Sequence, residues 1–171
     1  AIKWSGEGTG FLFGVTSRMA ISTVLALALV RLLGLALPLD TRARRAYLAG
    51  GGGIFAAMTS VYWGAQHIPS GWVSLVFGIT PIVTGVMAAV WLGERALTPA
   101  RLLGMATALA GLAVIFARGL DLGPAAVSGI GAVLLATVFQ SASAVWVKRI
   151  GAEIPALSMA AGSLAVSLPL F

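Results

Sequence analysis

Apolar runs matched to the thickness of a lipid bilayer recur along this sequence. A helix needs roughly 20 residues to cross about 30 Å of hydrocarbon. Five runs reach that length, at about 12–32, 47–67, 71–92, 99–117 and 124–147, and a sixth begins near 155 and is still apolar at Phe171. Water offers no stable fold to such a chain, because a domain of 171 residues has too little interior for side chains that are 59% hydrophobic and 9% charged. That excludes a cytosolic enzyme domain and a disordered chain, and the lack of cysteine excludes a secreted disulfide module. The runs lack the strict alternation of barrel strands, and none has the form of a cleavable signal peptide. The expected fold class is all-α, a polytopic bundle of membrane helices with the lipid bilayer as its solvent. The 22 glycines lie inside the runs as well as in turns, as expected where helices approach closely in lipid.

The connections are short and rich in helix signals. Ile68-Pro69-Ser70-Gly71 makes antiparallel neighbours of the runs it joins, with Ser70 expected to cap the next helix. Gly93 is expected to end a helix, Thr98-Pro99 to start one and Gly123-Pro124 to open another. Assigning alternate connections to alternate sides puts eight cations on one face (Arg31, Arg42, Arg44, Arg45, Arg95, Arg101, Lys148, Arg149) and three on the other (Lys3, Arg18, Arg118). Cytoplasmic connections carry the excess of Lys and Arg, so the first face is expected in the cytoplasm, with the parent N-terminus on the same side. The net charge of +6 then reflects topology. Nucleic acid is not an expected partner, since no basic stripe is interleaved with aromatics. The chain starts without Met and reads as a fragment, with Ala1-Ile2-Lys3-Trp4 as the tail of an earlier span.

Few residues could carry chemistry. Arg18 sits about seven residues into its span, so its charge either faces a polar cavity or reaches back to the headgroups. Phe55, Thr59, Tyr62 and Gln66 recur at helical spacing on the second run, reading either as interhelical hydrogen bonding or as the lining of a solute path. In the third run Gly71, Ser74, Gly78, Pro81, Gly85 and Ala88 form a small-residue face, and Phe77, Thr80, Thr84, Met87 and Trp91 another. Pro81 removes a backbone hydrogen bond near mid-membrane and frees the Phe77 carbonyl. Thr80-Pro81 is therefore a candidate hinge or ligand site, or a plain kink. Gln140 is the one amide on a face with Ala132, Ala136 and Ala144, reading as a helix-packing bond or a solute contact. Gly50–Gly53 lacks the Lys-Ser/Thr of a phosphate loop and reads as tight helix packing or a soft cytoplasmic segment. Glu94-Arg95 reads as capping and charge anchoring. The five acids (Glu7, Asp40, Glu94, Asp121, Glu153) all fall in connections, and His67 is the single histidine. No catalytic group, metal site or cofactor is expected.

Read in order, Ser70-Gly71-Trp72-Val73-Ser74-Leu75-Val76-Phe77-Gly78-Ile79-Thr80-Pro81 resembles the "SAGLASLLFALTP" stretch of the drug/metabolite transporter superfamily, EamA-type domain. Trp91-Leu92-Gly93-Glu94-Arg95 with Leu97-Thr98-Pro99 is similar to its "LGERLTP", and Leu103-Gly104 with Gly111 to its "LLGLALGLAGVALL". The resemblance implies a ten-helix bundle of two inverted five-helix repeats, with the solute site near the midplane where the repeats meet. Residues 1–118 would be the first repeat, lacking most of its first helix, and 124–171 the start of the second. Arg18 resembles an Arg common in the family's second helix, whereas Gln140 stands where relatives often carry an aromatic. The implied function is secondary transport, with export of a small metabolite, amino acid or drug-like solute by alternating access in a bacterial cytoplasmic membrane. Arg18, Thr59, Tyr62, Gln66, Thr80, Pro81 and Gln140 would line the path, no cofactor would be needed, and a homodimer is compatible with the pattern. The alternative is a polytopic membrane enzyme acting on lipid or isoprenoid substrates, which would require acids or histidines clustered at one membrane face.

Overall fold

A computed structural model describes residues 11–94, 98–116 and 125–171. Expectations that fall on Ala1–Trp4, Glu7, Arg95, Arg118, Asp121 and Gly123-Pro124 lie outside these residues. Among the described residues the regular structure is helical, without strands: α1 Phe11–Leu32, α2 Thr41–Gly64, α3 Ser70–Phe77, α4 Thr80–Leu92, α5 Pro99–Phe116, α6 Ala126–Ile150 and α7 Ala156–Ser167, the last followed by a 3-10 turn at Leu168–Leu170. Phe13–Leu32, Ser70–Leu92 (α3 and α4 together) and Ala126–Ile150 are long and apolar enough to cross a membrane. Exposed Ile21, Val24, Leu25, Val90, Val114 and Val127 give the bundle an apolar exterior suited to lipid. This is a multi-pass membrane protein.

Two boundaries differ from the sequence expectation. The second apolar run starts at about residue 47, yet α2 begins at Thr41 and takes in Arg42, Arg44 and Arg45. Asp40 causes this: its carboxylate accepts from the backbone N–H groups of Arg42 at 3.1 Å and Ala43 at 3.3 Å, satisfying two free donors and placing negative charge at a helix N-terminus. Hydropathy marks where lipid begins, whereas the cap marks where the helix begins. Ser70 does not cap α3. Pro69 holds that position, without a side-chain hydrogen bond, and Ser70 is the first helical residue. The other signals act as expected: Gly93 ends α4 at φ +68°, and the Thr98 hydroxyl accepts from the Arg101 N–H at 3.4 Å.

Helix α2 is the hub, packed most extensively on α6 and next on α7. Its glycines explain the closeness. A Cβ on Gly64 would lie 2.8 Å from the Gly129 carbonyl oxygen, and one on Gly51 would lie 2.7 Å from that of Ser163. Gly53 presses on Ser143 of α6. The pairs Gly53–Ser143 and Gly64–Gly129 run in opposite chain directions, so α2 and α6 are antiparallel. Tyr47 against Gly162 and Phe55 against Phe171 run in the same direction, making α2 and α7 parallel. The Gly50–Gly53 run is thus helix packing, except that Gly52 meets nothing within 4 Å. Hydroxyls inside helices mostly bond their own backbone, as Thr23 does to the Met19 carbonyl at 2.7 Å and Ser60 to that of Ala56 at 2.8 Å, which removes their cost in an apolar setting.

The connections sort to two ends. Pro38, Asp40 and Arg42 share a cleft with Gly151 through Ile154, and Glu94 meets Lys148, so the α1–α2, α4–α5 and α6–α7 connections gather at one end. His67 and Ile68 lie against Gly129 at the other.

Candidate functional site

Backbone geometry singles out the junction of α3 and α4. At Gly78 the helix tightens, its N–H reaching both the Ser74 carbonyl at 3.0 Å and that of Leu75 at 3.2 Å, and the Ile79 N–H bonds Val76 at 3.1 Å. Pro81 lies in the first turn of α4. Without an N–H it offers nothing to the Phe77 carbonyl four residues earlier. Residues Gly78-Ile79 therefore interrupt one apolar span and divide it into two helices.

Below that joint, a cleft of about 650 Å³ opens between α4, α5 and α6. Pro81, Gly85, Ala88, Met105 and Val145 supply apolar wall, and Glu94, Arg101 and Lys148 supply charge. Thr80 also faces this cleft, and its hydroxyl is enclosed without a hydrogen-bond partner. An enclosed hydroxyl with no partner costs free energy, about 1–3 kcal/mol by mutational measures. Three contacts join α4 and the residues just after it to α6: the Thr84 hydroxyl donates to Ser141 at 2.9 Å, Trp91 meets Trp146 edge-to-face with centroids 6.1 Å apart outside the cleft, and Lys148 Nζ lies 2.7 Å from Glu94 Oε2.

The remaining candidates gather elsewhere. Arg18 of α1 is exposed, and its Nη1 donates to the Tyr62 hydroxyl of α2 at 3.4 Å. Tyr62 itself is only 2% exposed. Thr59 is half-buried one turn along α2, and Phe55 packs edge-to-face on Phe171. Gln66 lies beyond the last residue of α2, exposed, its amide 3.5 Å from the Tyr62 carbonyl. The four residues share a helical phase but meet different neighbours, because α2 contacts different helices along its length. His67 is partnered, its Nδ1 being 2.9 Å from the Trp63 carbonyl oxygen. The structure thus brings Arg18 to Tyr62 and sets Thr80 beside Pro81, while Gln140 sits exposed on α6, apart from both groups.

Sequence reasoning missed Ser141, Glu94 and Lys148 as site residues. The buried line of α6 runs through Val133, Thr137, Ser141 and Val145, with Ala136 buried beside it, whereas Gln140 and Ala144 of the Ala132–Ala136–Gln140–Ala144 face are exposed. Its own spacing of four residues was a readable signal. Glu94 reads from sequence as capping and charge anchoring, and nothing local pairs it with a lysine 54 residues away.

Comparison with known proteins identifies the scaffold. The profile of the EamA-like transporter family matches residues 1–117. The chain belongs to the EamA-like transporter family. Among curated members similar to this EamA-family chain, the "Probable terminal-alkyne amino-acid exporter" of Streptantibioticus cattleyicolor is 37% identical over 125 residues, covering 70% of the chain. The "Uncharacterized transporter YvbV" of Bacillus subtilis is 29% identical over 103 residues, covering 60% of the chain. The chain spans 40% of the length of the first and 33% of the second. No solved structure matches it. Membership of this family points to a transporter rather than an enzyme.

Proposed function

We propose that this chain forms the first five-span repeat, over residues 1–118, and the opening of the second, over 124–171, of a secondary transporter. The full protein would export small amphipathic metabolites, amino acids among them, by alternating access across the cytoplasmic membrane. The observation that carries the reading is the interrupted span at Gly78-Ile79, with the unpartnered Thr80 hydroxyl facing a cleft of about 650 Å³. Broken helices with free polar groups are how transporters of the inverted-repeat type bind solutes within apolar surroundings. The relative named as an amino-acid exporter supports the direction and solute class.

In this reading Thr80 and Pro81 contact or gate the solute, and Arg18, Thr59, Tyr62, Gln66 and Gln140 belong to its path from the outer side. The end carrying Arg31, Arg42, Arg44, Arg45, Arg101, Lys148 and Arg149 faces the cytoplasm. Two copies are free to associate through the apolar exterior.

The test is efflux of a labelled panel of amino acids and small metabolites from cells making the full-length protein, compared with Thr80→Val at equal expression. Export that falls at least tenfold in the variant supports the reading. A wild type that moves none of the panel overturns it.

A further inference from the structure

The Glu94–Lys148 pair lies at the charged end of a largely apolar cleft, and it is the most water-accessible of the three links between α4 and α6. Its side chains are 39% and 60% exposed, at 2.7 Å separation. Thr84–Ser141 and Trp91–Trp146 hold the same helices together above it. An ion pair so open to water holds helices together only weakly, and a ligand carrying both charges can replace each half of it at little net cost. Farther up the same cleft stand the apolar surfaces of Pro81, Met105 and Val145, and beyond them the enclosed Thr80 hydroxyl. Charge at one end and apolar wall above it match a small molecule with a zwitterionic head and an apolar tail.

We infer that Glu94 and Lys148 are a head-group site, at which a zwitterion separates the ion pair by exchange. Its cationic group pairs with the Glu94 carboxylate and its anionic group with the Lys148 ammonium, while its tail lies along the wall toward Pro81. Arg101 lines the same end of the cleft. This site deepens the transporter reading and rests on it.

Three solutes with one carbon skeleton separate the contributions: leucine, 3-methylbutylamine, which lacks the carboxylate, and 4-methylpentanoate, which lacks the amine. Their uptake is measured in inside-out vesicles bearing the full-length protein. Wild type is expected to take leucine with a KM at least tenfold below that of either half. Glu94→Gln should raise the leucine KM about tenfold and abolish its advantage over the acid. Lys148→Gln should abolish its advantage over the amine, with the maximal rate in both variants within about twofold of wild type. Variants that shift all three solutes equally, or change only the maximal rate, make the pair a structural latch and overturn the site. A wild type that exports other metabolites but none of these three overturns the site and leaves the transporter reading standing. A wild type that exports nothing overturns both.

Discussion

The Ser143 hydroxyl of α6 donates to the Ala49 carbonyl of α2 at 2.9 Å. It reaches a helical carbonyl already engaged within its own helix only because Gly53, one turn further along, leaves room for the Ser143 side chain. The most extensively packed helix pair in the bundle is therefore built from missing side chains, and its tolerance of substitution follows from which glycines face a neighbour.

Gly64→Ala should destabilise the protein by about 1–3 kcal/mol, the range for overpacking. Its Cβ would meet the Gly129 carbonyl oxygen at 2.8 Å, and backbone cannot swing aside. Gly52→Ala meets nothing within 4 Å and should be neutral or slightly stabilising. Thermal unfolding in detergent of the full-length variants checks the contrast.

The Thr84–Ser141 bond should be worth about 0.6 kcal/mol, the average for hydrogen bonds between membrane helices. Thr84→Val, Ser141→Ala and the double variant form a cycle whose coupling free energy measures it. A coupling near zero would show that α4 and α6 are held by their apolar contacts alone.

Pro81→Ala returns an N–H to the backbone opposite the Phe77 carbonyl. The expected result is a more continuous α3–α4 span, a higher unfolding temperature and transport reduced at least fivefold. Unchanged transport would make Gly78-Ile79 a kink without a role in the cycle.

Arg18→Gln should impair transport far more than Tyr62→Phe, although both remove the 3.4 Å contact between them. Phenylalanine keeps the buried ring packing and leaves the cation free for solute, whereas glutamine removes the charge. Equal effects would assign Arg18 to anchoring α1 on α2.

Orientation is open to labelling because the chain has no cysteine. Placed singly in a cysteine-free parent protein, Ser70→Cys should react with a membrane-impermeant maleimide on intact cells. Arg42→Cys and Arg149→Cys should react only after the cells are opened. All three native side chains are exposed. The reverse pattern would invert the topology.

Much of the bundle is legible in the linear chain. Apolar runs, Gly93 and the Thr98-Pro99 start mark spans and turns through local chemistry alone. The start of α2 lies outside the apolar run because Asp40 caps the helix there. Gln140 drew attention as an isolated amide, yet the inward line of α6 runs through Ser141, since a small hydroxyl fits between close helices and a long amide does not.

The linear chain suffices to show a helical membrane bundle, to mark the three helical stretches long and apolar enough to span, and to locate the break beside Pro81. Those properties depend on hydropathy and backbone chemistry within a few neighbours. Packing in three dimensions sets which glycines touch another backbone, that Thr84 meets Ser141, that Glu94 pairs with Lys148, and that Arg18 reaches Tyr62. Each of those joins residues 44–57 positions apart or depends on which side of a helix a neighbour lies. In an apolar bundle every outward face resembles every inward one, so periodicity alone does not distinguish lipid from protein.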